Sequence, residues 1–140
     1  MEEGLIRITP DKEKAKSIVK MAKTTLEMIG DIDLGKFSSN VTKEYYDVMR
    51  ELISVILLLD GYKTFGEGAH KRLVDYLQKN YGEFEEREIA LIDELRLVRN
   101  RIAYDGFFVS REYIERKRED IRRITAKLEN IIKKKLGNEN

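Results

Sequence analysis

The sequence predicts an all-α protein, and three observations lead to that prediction. Apolar residues recur at three- and four-residue spacing in five segments, which is typical of helices buried on one face. Turn residues, glycine above all, separate these segments. No stretch alternates apolar and polar residues as a half-buried strand does. At 140 residues, the chain is expected to form a single domain, residues 1–140, with one modest core.

The first helix is predicted to follow a short N-terminal arm, residues 1–8, which we expect to be partly extended. Thr9–Asp11 supplies a capping hydroxyl, a proline for the first helical position and an early acid. The apolar spacing then continues to Gly30, which favours a helix end.

The second helix is predicted to be the central one. Residues 31–39 are predicted to form a polar loop, after which Ser39 or Asn40 can cap the helix. The segment Ile53–Leu59 is apolar almost all round, and such a helix is buried on most sides.

Three more helices are predicted in the second half of the chain. Residues 61–68 form an irregular loop whose glycines lack the Gly-Lys-Ser/Thr sequence of a phosphate-binding P-loop. Phe107 and Phe108 are predicted to pack a second loop beside Tyr104, and Ser110 to cap the last helix. The predicted helices run over about 69–80, 83–104 and 111–136.

The stretch Leu95–Gly106, which ends the fourth helix, carries the main candidate site. Arg96, Asn100 and Tyr104 follow at four-residue intervals and therefore share a face, and Arg99 lies about 100° round from Asn100. Guanidinium groups beside an amide and a phenol offer a phosphate-binding surface. The alternative is that the arginines only complement the helix dipole and the tyrosine only packs.

Charged neighbours extend this candidate surface. Arg101 and Asp105 flank the stretch, and Lys117 belongs to a segment, residues 111–136, with ten Lys and Arg against five Asp and Glu. That segment is either a solvated helix face or a phosphate-backbone track adjoining Arg99.

His70, the single histidine, falls in the first turn of the third helix. The helix N-terminus disfavours a protonated ring, and no partner for a general base is evident along the sequence. We therefore expect a packing role or a local hydrogen bond.

Two segments resemble HEPN domains, which are small helical bundles of prokaryotes and some eukaryotes. Arg99–Asn100, a short apolar spacer and Tyr104–Gly106 resemble the HEPN signature, and Gly61–Lys63 with His70–Leu77 is similar to the middle of these domains. The resemblance covers nearly the whole chain. Active HEPN members carry an arginine, often followed by asparagine, and a histidine a few positions later, where this chain has Tyr104.

The resemblance implies an up-and-down bundle of four to five helices that forms a homodimer. Several HEPN groups are metal-independent ribonucleases, in which the arginine and histidine of two subunits meet across the dimer axis. Others pair with a small nucleotidyltransferase as toxin and antitoxin. On this basis the catalytic candidates are Arg99, Asn100 and Tyr104, and the binding candidates are Arg96, Arg101, Asp105 and Lys117.

Three functions remain open at this point. The first is a dimeric HEPN-like module that binds RNA, a nucleotide phosphate or a partner nucleotidyltransferase. The second is a ribonuclease with Tyr104 in the usual place of the histidine. The third is a non-catalytic interaction bundle. A tyrosine with a pKa near 10 is ionised in only about one molecule in a thousand at neutral pH, so the change to Tyr104 favours binding over cleavage.

The amino-acid composition bears on the partners, metal sites, cofactors and location that we expect for this protein. The net charge of +1 does not by itself require a nucleic-acid partner. With no cysteine and one histidine, we expect no cysteine-ligated zinc, no histidine metal cluster and no cofactor. No secretory signal or membrane span is visible, which predicts a cytoplasmic protein. The abundance of Glu, Lys and Arg is typical of thermophile proteins.

Overall fold

The computed structural model describes residues 4–137, and this part of the chain is mostly helical. The all-α prediction is confirmed for these residues, apart from a small two-stranded sheet. Within the same range, no helix has the length and apolar character needed to cross a bilayer. The elements are β1 Leu5–Arg7, α1 Lys12–Gly30, α2 Leu34–Asp60, β2 Tyr62–Thr64, α3 Ala69–Asn80, α4 Glu86–Asp105 and α5 Arg111–Lys135.

Helix α2 is the centre of the bundle, as its apolar segment Ile53–Leu59 predicted. Helices α1, α4 and α5 all pack against it. Met49, Leu52 and Ile56 are completely buried between these neighbours. Because burial of one such side chain is worth about 1.5–3 kcal/mol, α2 supplies a large share of the core's stability.

The described residues contain two short strands besides the helices, and the first agrees with the expectation that the N-terminal arm is partly extended. β1 lies in the N-terminal arm, of which residues 1–3 are outside the described residues, and β2 lies in the predicted loop 61–68. The strands pair antiparallel, with Ile6 opposite Lys63. Each strand has three residues, which is too short for an alternating pattern to be visible in the sequence.

Two helix starts differ from the prediction because aspartates cap them, in place of Thr9 for α1 and of Ser39 or Asn40 for α2. Asp11 caps α1, where its carboxylate accepts a hydrogen bond from the backbone N–H of Lys14 at 2.9 Å. Asp33 caps α2 in the same way, by accepting from the N–H of Gly35 at 2.8 Å. Helix α2 therefore begins inside the predicted loop 31–39, and its first turn is set off by a kink at Phe37.

The remaining helix bounds agree more closely. Helix α3 has the predicted range. Helix α4 begins at Glu86 and not at Glu83, because a capping box between Glu85 and Glu88 fixes its start. Ser110 caps α5 as predicted, by accepting from the N–H of Tyr113 at 3.1 Å.

Two ion-pair networks fix the ends of the bundle. At the C-terminal end of α2, Asp60 accepts hydrogen bonds from the hydroxyls of Tyr76 and Tyr81, at 2.8 and 2.6 Å, and pairs with Lys135. At the start of α4, the fully buried carboxylate of Glu88 lies 2.6 Å from the ammonium group of Lys127 on α5. These contacts hold α2, α3, α4 and α5 in fixed relative positions.

The loop between α4 and α5 is anchored through Val109. The hydroxyl of Ser38 donates to the carbonyl of Val109 at 2.7 Å, and the N–H of Val109 donates to the hydroxyl of Ser39 at 2.9 Å. The prediction that Phe108 packs this loop is wrong, since its side chain is 84% exposed. Phe107 lies beneath the guanidinium group of Arg101, 3.8 Å from its ring centroid.

Candidate functional site

The candidate residues of α4 point in different directions. The side chain of Arg99 faces α2 and is only 21% exposed, whereas Tyr104 is 76% exposed. Five residues separate them, which is a rotation of about 140° round the helix axis. The structure therefore does not bring Arg99 and Tyr104 into one cleft within a single protomer.

Arg99 instead meets a second arginine at one carboxylate on the central helix. Its Nε atom lies 3.3 Å from Oδ1 of Asp47, and the Nε atom of Arg50 lies 3.8 Å from the same oxygen. All three atoms are buried, and none makes a hydrogen bond with the described residues. The charges are thus paired by proximity, while the N–H groups are not aimed at the carboxylate oxygen.

Arg96 adds a third guanidinium group beside these two. It is held by Asp93, one turn earlier on α4, with 2.9 Å between Nε and Oδ1. We call Arg50, Arg96 and Arg99 the arginine cluster. Asp47 and Asp93 offset part of its charge at the partly buried surface between α2 and α4, and Glu51 also interacts with Arg50.

The charges of the arginine cluster also act on the pKa of Tyr46, which lies next to Asp47 on α2. Burial raises the pKa of Tyr46 to about 12, although Arg50, Arg96 and Arg99 each act to lower it. Tyr46 therefore stays protonated at physiological pH and is not a candidate base.

His70 lies near the same cluster, which no spacing in the sequence indicates. It is exposed at the start of α3 and lines a pocket together with Arg50. Partial burial lowers its pKa below the usual 6.5, and the positive charges of Arg50, Arg99 and Arg96 lower it further. Its ring is therefore neutral at physiological pH and able to accept a proton.

The other predicted binding residues lie elsewhere. Arg101 is about 200° round α4 from Arg99 and stacks on Phe107. Lys117 is 3.5 Å from Glu94, so part of its charge is already compensated. Both line a groove between α4 and α5, on the other side of α4 from the cluster.

The remaining two predicted site residues form no side-chain hydrogen bond or ion pair within residues 4–137. Asn100 is partly buried beside Arg99 on α4, and Asp105 is exposed as the last residue of that helix. Among residues 4–137 no group of three or more His, Cys, Asp or Glu side chains could hold a metal ion.

Sequence reasoning missed Asp47 and Arg50, although a signal for them existed. Both are charged residues within the most apolar helix of the chain, where a charged side chain requires a partner. Their spacing of three residues places them on one face of α2. The sequence did not indicate that Arg99 of α4 faces Asp47 and Arg50 of α2.

Comparisons of this chain with protein-family models, curated protein sequences and solved structures give no match. The resemblance to HEPN domains therefore stays a prediction.

Proposed function

We propose that this chain is a HEPN-like dimeric module that binds the phosphate groups of RNA or of a nucleotide at the arginine cluster. The observation that carries this proposal is the convergence of Arg50 and Arg99 on one oxygen of Asp47, with both Nε donors free of hydrogen bonds among the described residues. On this proposal Asn100 is a neighbouring polar contact.

The physical argument rests on how guanidinium groups bind phosphate. Each presents five N–H donors in a rigid fork that suits the geometry of phosphate oxygens. A buried donor without a partner costs about 1–3 kcal/mol, so a phosphate oxygen would recover this cost only where the side chains of Arg50 and Arg99 turn their donors towards it. The ion pairs with Asp47 and Asp93 hold the side chains in place, so that less conformational entropy is lost on binding.

The outer face of α4 supports the dimeric part of the proposal. Leu97 and Tyr104 are seven residues apart and so share one face of the helix, and both are exposed. A second copy of the chain placed on this face would cover both side chains. Arg99 would stay outside this interface, because it lies about 160° round the helix from Leu97 and faces α2.

A metal-independent ribonuclease is the second candidate, and His70 favours it. A neutral imidazole near Arg50 and Arg99 could take the proton of a 2′-hydroxyl while the arginines stabilise charge on the phosphoryl oxygens. In this version His70, and not Tyr104, is the base. Some HEPN proteins pair with a small nucleotidyltransferase. If this chain has such a partner, the partner would compete for the same surface.

The test is binding of a fluorescent single-stranded RNA in EDTA, measured by anisotropy. Arg99→Gln is compared with Arg101→Gln, a matched change on the opposite side of the same helix. We expect Arg99→Gln to weaken binding about tenfold or more, since a charge-assisted hydrogen bond contributes about 1.5–3 kcal/mol. Arg101→Gln should have little effect.

The same samples separate the two candidates. RNA that is bound but intact supports the binding module, whereas cleavage that is lost in His70→Gln and kept in Tyr104→Phe supports the ribonuclease. Two results contradict both candidate functions. One is equal RNA affinity of the wild type and Arg99→Gln, and the other is a larger loss of RNA affinity in Arg101→Gln than in Arg99→Gln.

A further inference from the structure

The pocket that His70 and Arg50 line lies beside the two-stranded sheet. It has a volume of about 290 Å³ and is lined by residues of α1, α2, the sheet and the start of α3. This volume is at the lower end of the roughly 300–1,000 Å³ that small-molecule sites occupy. A ligand in it would therefore be small.

The polar lining of the pocket is positively charged. Lys14 of α1, Lys63 of β2 and Arg50 of α2 all line it, and no aspartate or glutamate does. Neither lysine forms an ion pair within residues 4–137, whereas Arg50 is 3.8 Å from Asp47. Such a concentration of cations without a carboxylate favours an anionic ligand.

The apolar lining is mainly aliphatic, and Tyr62 adds one aromatic ring. Leu57, Leu58 and Leu73 are buried side chains that contribute to the pocket wall, together with Ile18. Amide side chains, which would recognise the edge of a base, are missing from this lining. A lining that combines three cations with several aliphatic side chains matches a ligand with an anionic head and an apolar body.

We infer that this pocket binds a small organic anion, with a carboxylate or phosphate head against Lys14, Lys63 and Arg50 and an aliphatic body against the leucines of α2 and α3. The pocket adjoins the proposed RNA contact at Arg99, since Arg50 belongs to both and His70 also lines the pocket.

The experiment is isothermal titration calorimetry of the full chain with octanoate and with hexyl phosphate. Octan-1-ol and inorganic phosphate serve as probes that lack the head and the body, respectively. We expect saturable binding of at least one of the two organic anions, and affinity at least about tenfold weaker for both control probes. Preference between octanoate and hexyl phosphate identifies the head group.

Variants locate the site. Lys63→Glu and Lys14→Glu should each weaken binding about tenfold or more, whereas Lys12→Glu, a matched lysine of α1 outside the pocket, should not. Ser54→Leu should block the pocket without adding charge, and circular dichroism checks that each variant is folded. Arg99→Gln should keep saturable binding of the organic anions, because Arg99 does not line the pocket, and this separates the inference from the proposed RNA contact.

Two results would overturn the inference. One is no saturable binding of octanoate or hexyl phosphate by the wild type at up to about 1 mM. The other is binding that survives Lys14→Glu, Lys63→Glu and Ser54→Leu unchanged, because the ligand would then lie elsewhere.

Discussion

Arg99 of α4 is paired with Asp47 of α2, with 3.3 Å between Nε and Oδ1, in a position where both side chains are about four-fifths buried. This pair joins the C-terminal half of α4 to the central helix. It also determines the direction of the guanidinium group, which faces α2 and not the exposed Tyr104. The ion pair is therefore both a packing contact between two helices and the support of the candidate phosphate site.

Removing the carboxylate should destabilise the fold. In Asp47→Asn, Arg99 and Arg50 lose their shared counter-charge, and we expect the free energy of unfolding to fall by about 1–3 kcal/mol, below the cost for a fully buried pair because water reaches these side chains. Urea denaturation followed by circular dichroism measures it. Asp93→Asn is the control, since Asp93 pairs with one arginine only. Equal stability of Asp47→Asn and wild type would contradict this account of the pair.

The pKa of His70 is sensitive to the charges of the arginine cluster and can be measured directly. We expect NMR titration to give a pKa of His70 below 6.5. Arg50→Gln should raise that pKa because a positive neighbour is removed, and Asp47→Asn should lower it because a negative one is removed. A pKa at or above 6.5 in the wild type, or shifts of the opposite sign, would show that His70 is not beside these charges.

The shift of the pKa of His70 also predicts how stability depends on pH. A histidine with a lowered folded-state pKa contributes stability above its unfolded pKa of about 6.5, and that contribution is lost as pH falls through the folded-state value. The free energy of unfolding should therefore fall less steeply below pH 6.5 in His70→Gln than in the wild type. Parallel pH profiles of the two proteins would contradict the prediction.

The exposed face of α4 should control association. Leu97→Glu is expected to convert a dimer into a monomer, because a carboxylate at the centre of a buried interface lacks a partner. Met21→Glu on α1 is the matched control, since Met21 is 63% and Leu97 is 51% exposed. Sedimentation velocity measures both. A wild type that stays monomeric, or a dimer that resists Leu97→Glu but not Met21→Glu, would refute the interface.

The tyrosines at Asp60 should make the fold sensitive to alkaline pH. Burial and the hydrogen bond to Asp60 raise the pKa of Tyr76 and of Tyr81. Stability from such groups is complete below the unfolded tyrosine pKa of about 10 and is lost as pH rises through the folded-state values. Tyr81→Phe should flatten the fall of stability above pH 10. Tyr104→Phe, an exposed change outside the network, should not alter it.

Periodicity was sufficient to predict the helices because their buried faces are continuous. The apolar segment Ile53–Leu59 predicted the central position of α2, and Ser110 predicted the start of α5. The boundaries at Asp11 and Asp33 were missed because several residues near each start can cap a helix, and tertiary packing selects one. The small sheet was missed because the pairing of Ile6 with Lys63 is a tertiary contact that three-residue strands do not reveal.

The candidate site was predictable only in part, for a related reason. Arg99 stands out from its own helix, but its partners Asp47 and Arg50 come from α2, and His70 comes from α3. A helical pattern gives the neighbours of a residue along its own helix and not those across the core. The same pattern placed Tyr104 near Asn100 but did not indicate that Arg99 turns towards α2.

The most direct test of the phosphate site follows the imidazole resonance of His70 while a single-stranded RNA is titrated in EDTA. A phosphate held by Arg50 and Arg99 places negative charge near the ring, so we predict that the pKa of His70 rises on saturation and that Arg99→Gln loses both the binding and the rise. Saturable RNA binding that leaves the pKa of His70 unchanged, or the absence of RNA binding by the wild type, would contradict the assignment of the arginine cluster as the phosphate site.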